Sequence, residues 1–156
     1  MLKAYLSHPF TNNEKKNRIT ARKIATTISK KAKEKGSAIA ILNPCDCIRY
    51  AEDAKLSYEA CMDICLKLLE GCDTLLLAPG WEKSRGCVIE TAFAIHEGIH
   101  VCILPENIKD LQPNITIANA GHYASSFHGK VAGLIKDLSI SKIPLKNKEF
   151  LNEFSY

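Results

Sequence analysis

Aromatic residues are scarce in this chain of 156 residues, which has one tryptophan, five tyrosines and five phenylalanines. Nucleic acid is gripped by basic residues interleaved with aromatic platforms on one surface. The lysines here cluster instead in 15–35 and 142–148, where they read as a solvated helix face and tail, so nucleic acid is not an expected partner. No apolar run has the length of a membrane span and no signal peptide is recognisable, which sets the expectation of a cytoplasmic protein with no membrane partner. Gly/Ser linkers, internal repeats and low-complexity segments are also missing. The length fits a single domain, expected over 1–138. Residues 139–156 form a tail whose Phe150, Leu151, Phe154 and Tyr156 predict docking on the domain itself or on a partner subunit.

Cysteine is the exception to this sparseness, with seven, at 45, 47, 61, 65, 72, 87 and 102. The count is odd, and several fall inside predicted strands and helices. Reduced thiols are therefore expected rather than disulfides. Cys45-Asp-Cys47 and Cys61-x-x-x-Cys65 lack the paired spacing of a zinc ribbon, so neither a metal nor any other cofactor is expected. Cys87, near a predicted helix amino terminus, is the candidate for a lowered thiol pKa.

The stretch from Gly71 to Pro105 carries the clearest pattern. Thr74 to Ala78 is a short unbroken apolar run of the kind that forms a strand covered on both faces. Helical spacing follows, with Val88, Ile89, Ala92, Phe93 and Ile95 on one broad face and Gly98 as the stop. Ile99 to Leu104 is the next buried strand, completing a βαβ unit. Upstream, Met1 to Ser7 is a strand followed by a turn, Ser7 to Asn13. Lys16 to Lys35 is a helix with Ile19, Ile24, Ile28 and Ala32 on its apolar face. Ala38 to Leu42 is the second strand, ended by Asn43-Pro44. Cys45 to Leu56 reads as an irregular lid or short helix with Tyr50 and Asp53 as its polar candidates, and a helix capped by Ser57 follows. Pro113 to Ala118 is a brief strand and Ser125 to Leu138 the last helix.

Alternating elements predict parallel strands and right-handed crossovers. The expected fold is α/β, a flavodoxin-like three-layer α/β/α sandwich whose mainly parallel sheet has about five strands. Ligands of such sheets bind outside the carboxyl ends of the strands, where helix amino termini offer unpaired N–H groups. Tyr5, Ser7, Ser84 and Glu90 fall there. Ser84 and Gly86 sit at a helix start, one able to donate a hydroxyl and the other to let backbone come close. Glu90 lies among apolar neighbours, either half-buried or on a narrow polar stripe.

These residues also carry a resemblance. Tyr5 in strand one, Asn17 opening the first helix, Asn43-Pro44 after strand two, Asp63 in the helix before Gly71-Cys72-Asp73, and above all Pro79-Gly-Trp-Glu-Lys-Ser-Arg-Gly-x-x-x-Glu90 resemble the nucleoside 2-deoxyribosyltransferase superfamily over about residues 2–104. The resemblance implies cleavage of the N-glycosidic bond of a (deoxy)nucleoside 5′-monophosphate or nucleoside, the sugar passing to water or to another base. It implies Glu90 as nucleophile, Asp63 as the acid that handles the departing base, and Tyr5 orienting Glu90. Ser84, where free-nucleoside transferases carry aspartate, implies a phosphate-bearing substrate, with Arg85 adjacent. Ser7, Pro9, Asn43, Gly86 and Asn119 are the remaining candidates for substrate binding. Trp81 has two roles open, a base-stacking platform or a hydrophobic lid. The glycine- and serine-rich phosphate loop of the hydrolase branch is replaced by Ser7-His8-Pro9-Phe10-Thr11-Asn12. A homodimer or larger homo-oligomer is implied, with Tyr156 as a candidate to reach a neighbouring site. Two other readings use the same crevice, a non-catalytic nucleotide-binding module and an NAD glycohydrolase-like enzyme.

Overall fold

In the computed structural model, which describes residues 1–111 and 124–155, strand β1 (Leu2–Ser7) buries its last four residues completely. A strand with no wet face must lie inside a sheet, and β1 does. It pairs in parallel with β2 (Ile39–Leu42) on one side and with β3 (Thr74–Leu77) on the other. β3 pairs in parallel with β4 (His100–Ile103), giving the order β2-β1-β3-β4. The sheet thus has four strands among the described residues, against about five expected. The brief strand expected over 113–118 lies outside the described residues.

Side chains alternate across a strand, and the two faces of β1 feed two separate cores. Ala4 and Leu6 pack with Ala21, Ile24 and Ile28 of helix α1 (Glu14–Glu34). Tyr5 joins Leu75 and Leu77 against α4 (Tyr58–Glu70) and α5 (Arg85–Glu97). Helices on both faces of a parallel sheet make the three-layer α/β/α arrangement the sequence predicts. One position of α1 differs from expectation. Ile19 is largely exposed and Ala21 takes its place in the core, because five residues before Ile24 is about 140° around the helix whereas three residues is close to a full turn.

Between β2 and α4, the segment expected to be an irregular lid or a short helix forms two short helices, α2 (Pro44–Cys47) and α3 (Arg49–Asp53). α6 (Ala124–Asp137) covers α5. The tail after it folds back on its own chain in two 3-10 turns, Ile140–Lys142 and Glu149–Phe154. These bury Ile140, Phe150, Leu151 and Phe154 in the α4/α5 core. Among the described residues no helix is long and apolar enough to cross a membrane.

The sheet order reverses at β1. Its α1 crossover leads to β2 on one side, and the next crossover returns to β3 on the other, so a crevice opens at the carboxyl ends of β1 and β3.

Candidate functional site

Glu90 is the chemical centre of that crevice. Helix α5 starts at Ser84, whose Oγ accepts from the Cys87 amide at 3.3 Å. This cap fixes the helix start, and Glu90 follows one and a half turns later, against the sheet rather than in solvent. Its side chain is only 5% exposed. Tyr5 and Ser7, two apart on β1 and therefore on one face, both reach it. The Tyr5 hydroxyl donates to Oε2 and the Ser7 hydroxyl donates to Oε1 at 2.8 Å.

These contacts oppose burial. Desolvation disfavours the charged carboxylate and pushes Glu90 up to about 7, while the two hydroxyl donors pull in the other direction. The same burial, with Glu90 beside it, drives the Tyr5 phenol well above its ordinary range. Near neutral pH Tyr5 is therefore a fixed donor, and Glu90 is the group that titrates.

Glu90 faces a cavity of about 240 Å³. The loop after β1 contributes His8, Phe10 and Thr11. The loop itself is fastened by Asn17, whose Nδ2 donates to the Phe10 carbonyl at 2.9 Å. Pro44, Cys45, Ile48 and Glu52 close one side, and Tyr58, Cys61, Met62 and Cys65 come from successive turns of α4. Ser84, Arg85, Gly86 and Cys87 complete it at the amino terminus of α5. Glu52 is held by Arg18 at 3.0 Å, and the Arg18 guanidinium also lies 5.3 Å from the centre of the Phe10 ring. The lining is mostly apolar, the usual character of a small-molecule site.

Of the residues expected to form a site, Tyr5, Ser7, Ser84, Gly86 and Glu90 are brought together. Asp63 is not. Tyr58, Cys61, Met62 and Cys65 define the face of α4 turned to the cavity, and Asp63 lies on a different face, in a separate groove with Lys67, Glu70 and Phe93. Asn43 serves the backbone instead, its Oδ1 capping α2 by accepting from the Cys45 amide at 3.2 Å. It borders a different depression, with Asp46 and Cys47. Pro9 meets the site indirectly, its carbonyl bonded to His8 Nδ1 at 2.6 Å.

Trp81 is neither platform nor lid. It is buried against Phe127 with ring centres 5.9 Å apart, and Lys130 sits over its face. Tyr50 and Asp53 point into solvent; from the same segment Ile48 and Glu52 line the cavity. Cys87 is the reverse of the reactive thiol expected, since burial and Glu90 push it up to about 12 despite its place in the first turn of the helix. Asn119 and Tyr156 lie outside the described residues.

Sequence reasoning did not single out His8, Phe10, Glu52 or Tyr58. For His8 and Phe10 the signal was their position, in the turn leaving the first strand at the binding edge of the sheet. For Glu52 and Tyr58 there was none, because tertiary closure of α3 and α4 over β1 brings them in. Among the described residues no three His, Cys, Asp or Glu side chains are grouped so as to hold a metal ion.

Residues 2–103 match a family described as a domain of unknown function (DUF4406). No curated protein and no solved structure matches the chain.

Proposed function

The chain belongs to the DUF4406 family, whose description names no reaction, and from the chemistry of the cavity we propose cleavage of an N-glycosidic bond in a nucleoside or nucleoside 5′-monophosphate. The observation that carries this is the buried Glu90 carboxylate, held by two hydroxyls of β1 and facing a mainly apolar cavity. A carboxylate so placed attacks an electron-poor carbon well. It is short of water, and its oxygens are oriented rather than free to rotate. In the first step an oxygen of Glu90 forms a bond to the anomeric carbon as the bond to the base breaks. In the second, water or another base takes the sugar and frees the carboxylate. The resemblance of the Ser84 to Glu90 segment to the nucleoside 2-deoxyribosyltransferases supports the same chemistry.

A 5′-phosphate, where the substrate carries one, would be received at the amino terminus of α5, with the Ser84 hydroxyl and the Arg85 guanidinium beside it. The base then has the apolar wall of α2 and α4 to lie against.

One observation favours a second reading. A carboxyl raised to about 7 is partly protonated at neutral pH and can donate a hydrogen bond, which suits a module that holds a nucleotide without cleaving it. The test is incubation with a panel of ribo- and deoxynucleosides, their 5′-monophosphates and NAD, followed by chromatography for free base. Release that disappears in Glu90→Ala supports the glycosidic reading. Tight binding without release supports the module and removes the first reading.

A further inference from the structure

A departing nucleobase needs a proton as its bond to the sugar breaks, and Asp63, which the sequence offers for this, lies on another face of α4. The acid has to come from the cavity wall. Glu52 is committed to Arg18 at 3.0 Å, and Glu14 stands exposed in the first turn of α1. Tyr58, Cys45 and Cys87 are pushed up to about 12 by burial and by Glu90, and burial raises Cys61 and Cys65 as well, which leaves all of them too weakly acidic to protonate a base.

His8 remains. It follows Ser7 directly in sequence, lines the same cavity as Glu90 and is half-buried. Its Nδ1 lies 2.6 Å from the Pro9 carbonyl. A carbonyl only accepts, so Nδ1 carries a hydrogen and Nε2 is the nitrogen that can exchange one.

We propose that His8 is the proton carrier of the site, giving a proton from Nε2 to the departing base and recovering one from the water that releases the sugar. The assignment rests on the glycosidic reading of Glu90. In the first step the bond from C1′ to the base nitrogen breaks, and its electron pair stays on that nitrogen, which takes the proton from Nε2 while Glu90 bonds to C1′. In the second, water bonds to C1′, the ester electron pair returns to Glu90, and the water's proton goes to Nε2. Both residues end as they began. Burial lowers the His8 pKa, so the imidazole rests neutral in the empty site, and the proton it carries into the first step is taken up from solvent.

The test uses the intact chain with His8→Ala and His8→Gln, each checked for folding by circular dichroism and melting. The substrates are 2′-deoxyguanosine and its 7-methyl derivative, or the corresponding 5′-monophosphates. The methylated base leaves a cationic nucleoside as a neutral molecule and takes no proton. We expect both variants to lose roughly 10²- to 10⁴-fold in turnover of the unmodified substrate and far less with the methylated one, so that the ratio of the two turnovers changes. Equal losses on both substrates, or no loss on the unmodified one, overturn the assignment. If one variant fails to fold, the other decides. Wild-type protein that releases base from no member of the nucleoside and nucleotide panel overturns the glycosidic reading itself, and the role of His8 falls with it; where the panel shows another base to be the one released, that nucleoside and its cationic N-methyl derivative replace the guanine pair.

Discussion

The Ser7 hydroxyl donates a 2.8 Å hydrogen bond to Oε1 of Glu90, joining the last residue of β1 to the second turn of α5. The bond ties the central strand to the helix that carries the reactive group, and it favours the ionised carboxylate. Ser7 therefore bears on the architecture and the chemistry of one residue.

Ser7→Ala removes a donor that holds the Glu90 pKa down, so the carboxyl rises further. A hydrogen bond to a buried charged group contributes about 1.5–3 kcal/mol, or roughly one to two pH units. With the 7-methyl substrate, whose base takes no proton, the acid limb of the pH profile for kcat/KM in base release is expected to move upward by about that amount, while the rate on the alkaline plateau changes less. A profile superimposable on that of wild type would show that Ser7 does not tune Glu90.

Glu90 also leaves a mark on stability. Its carboxyl titrates at about 7 in the fold against an ordinary value of 4.5, so the folded chain binds that proton more tightly than the unfolded one. The proton's contribution to stability is complete below 4.5 and is lost as pH rises through 7, with a difference of about 3 kcal/mol between the two limits. Glu90→Gln cannot ionise. Its denaturant midpoint should exceed that of wild type at about pH 8 and converge with it near pH 4. A constant difference across that range would contradict the raised carboxyl.

Asp63→Asn probes the geometry of α4. The residue lies in a groove away from the cavity. Base release should stay within about twofold of wild type, the 0.5 kcal/mol scale of a substitution outside the core. A loss of several orders of magnitude would mean that the helix presents a different face to the substrate.

Asp63 marks a boundary of what the sequence discloses. The βαβ unit from Thr74 to Ile103 is legible because an unbroken apolar run, a serine cap and a glycine stop are local signals, and they place Ser84, Gly86 and Glu90 without further information. Tyr5 and Ser7 follow from strand alternation. On a helix, neighbouring residues are turned by 100°, so the direction of Asp63 depends on how α4 rolls against the sheet, and that is settled by Met62, Cys65, Leu66 and Leu69 packing together. Trp81 misleads for a related reason. A large aromatic beside a binding motif looks like a platform, yet Phe127, 46 residues later, covers it.

Gly86 lines the cavity, and a Cβ built there would lie 3.5 Å from Met62 Sδ and 3.6 Å from the Tyr58 hydroxyl. Those are ordinary contacts, so Gly86→Ala should fold with unchanged or slightly raised stability, the helix gaining up to about 1 kcal/mol. Gly86→Leu extends into the space where substrate would lie. It should melt near wild type yet show a greatly raised KM, and an unchanged KM would place the substrate elsewhere.

The tail offers a test that separates fold from assembly. Phe150 is buried and meets the Phe93 ring of α5 edge-on, with centres 5.4 Å apart. Phe93 is on the helix that carries Glu90, so the tail braces the back of that helix while the sheet holds its front. Removing a buried phenyl group costs about 3–5 kcal/mol, a large share of the stability of a domain of this size. Phe150→Ala should lower the denaturant midpoint accordingly. Because the contact lies within one chain, the change should be the same at low and high protein concentration. A loss that grows on dilution would mean that this aromatic pair is made between subunits, with the tail of one chain supporting the α5 of another.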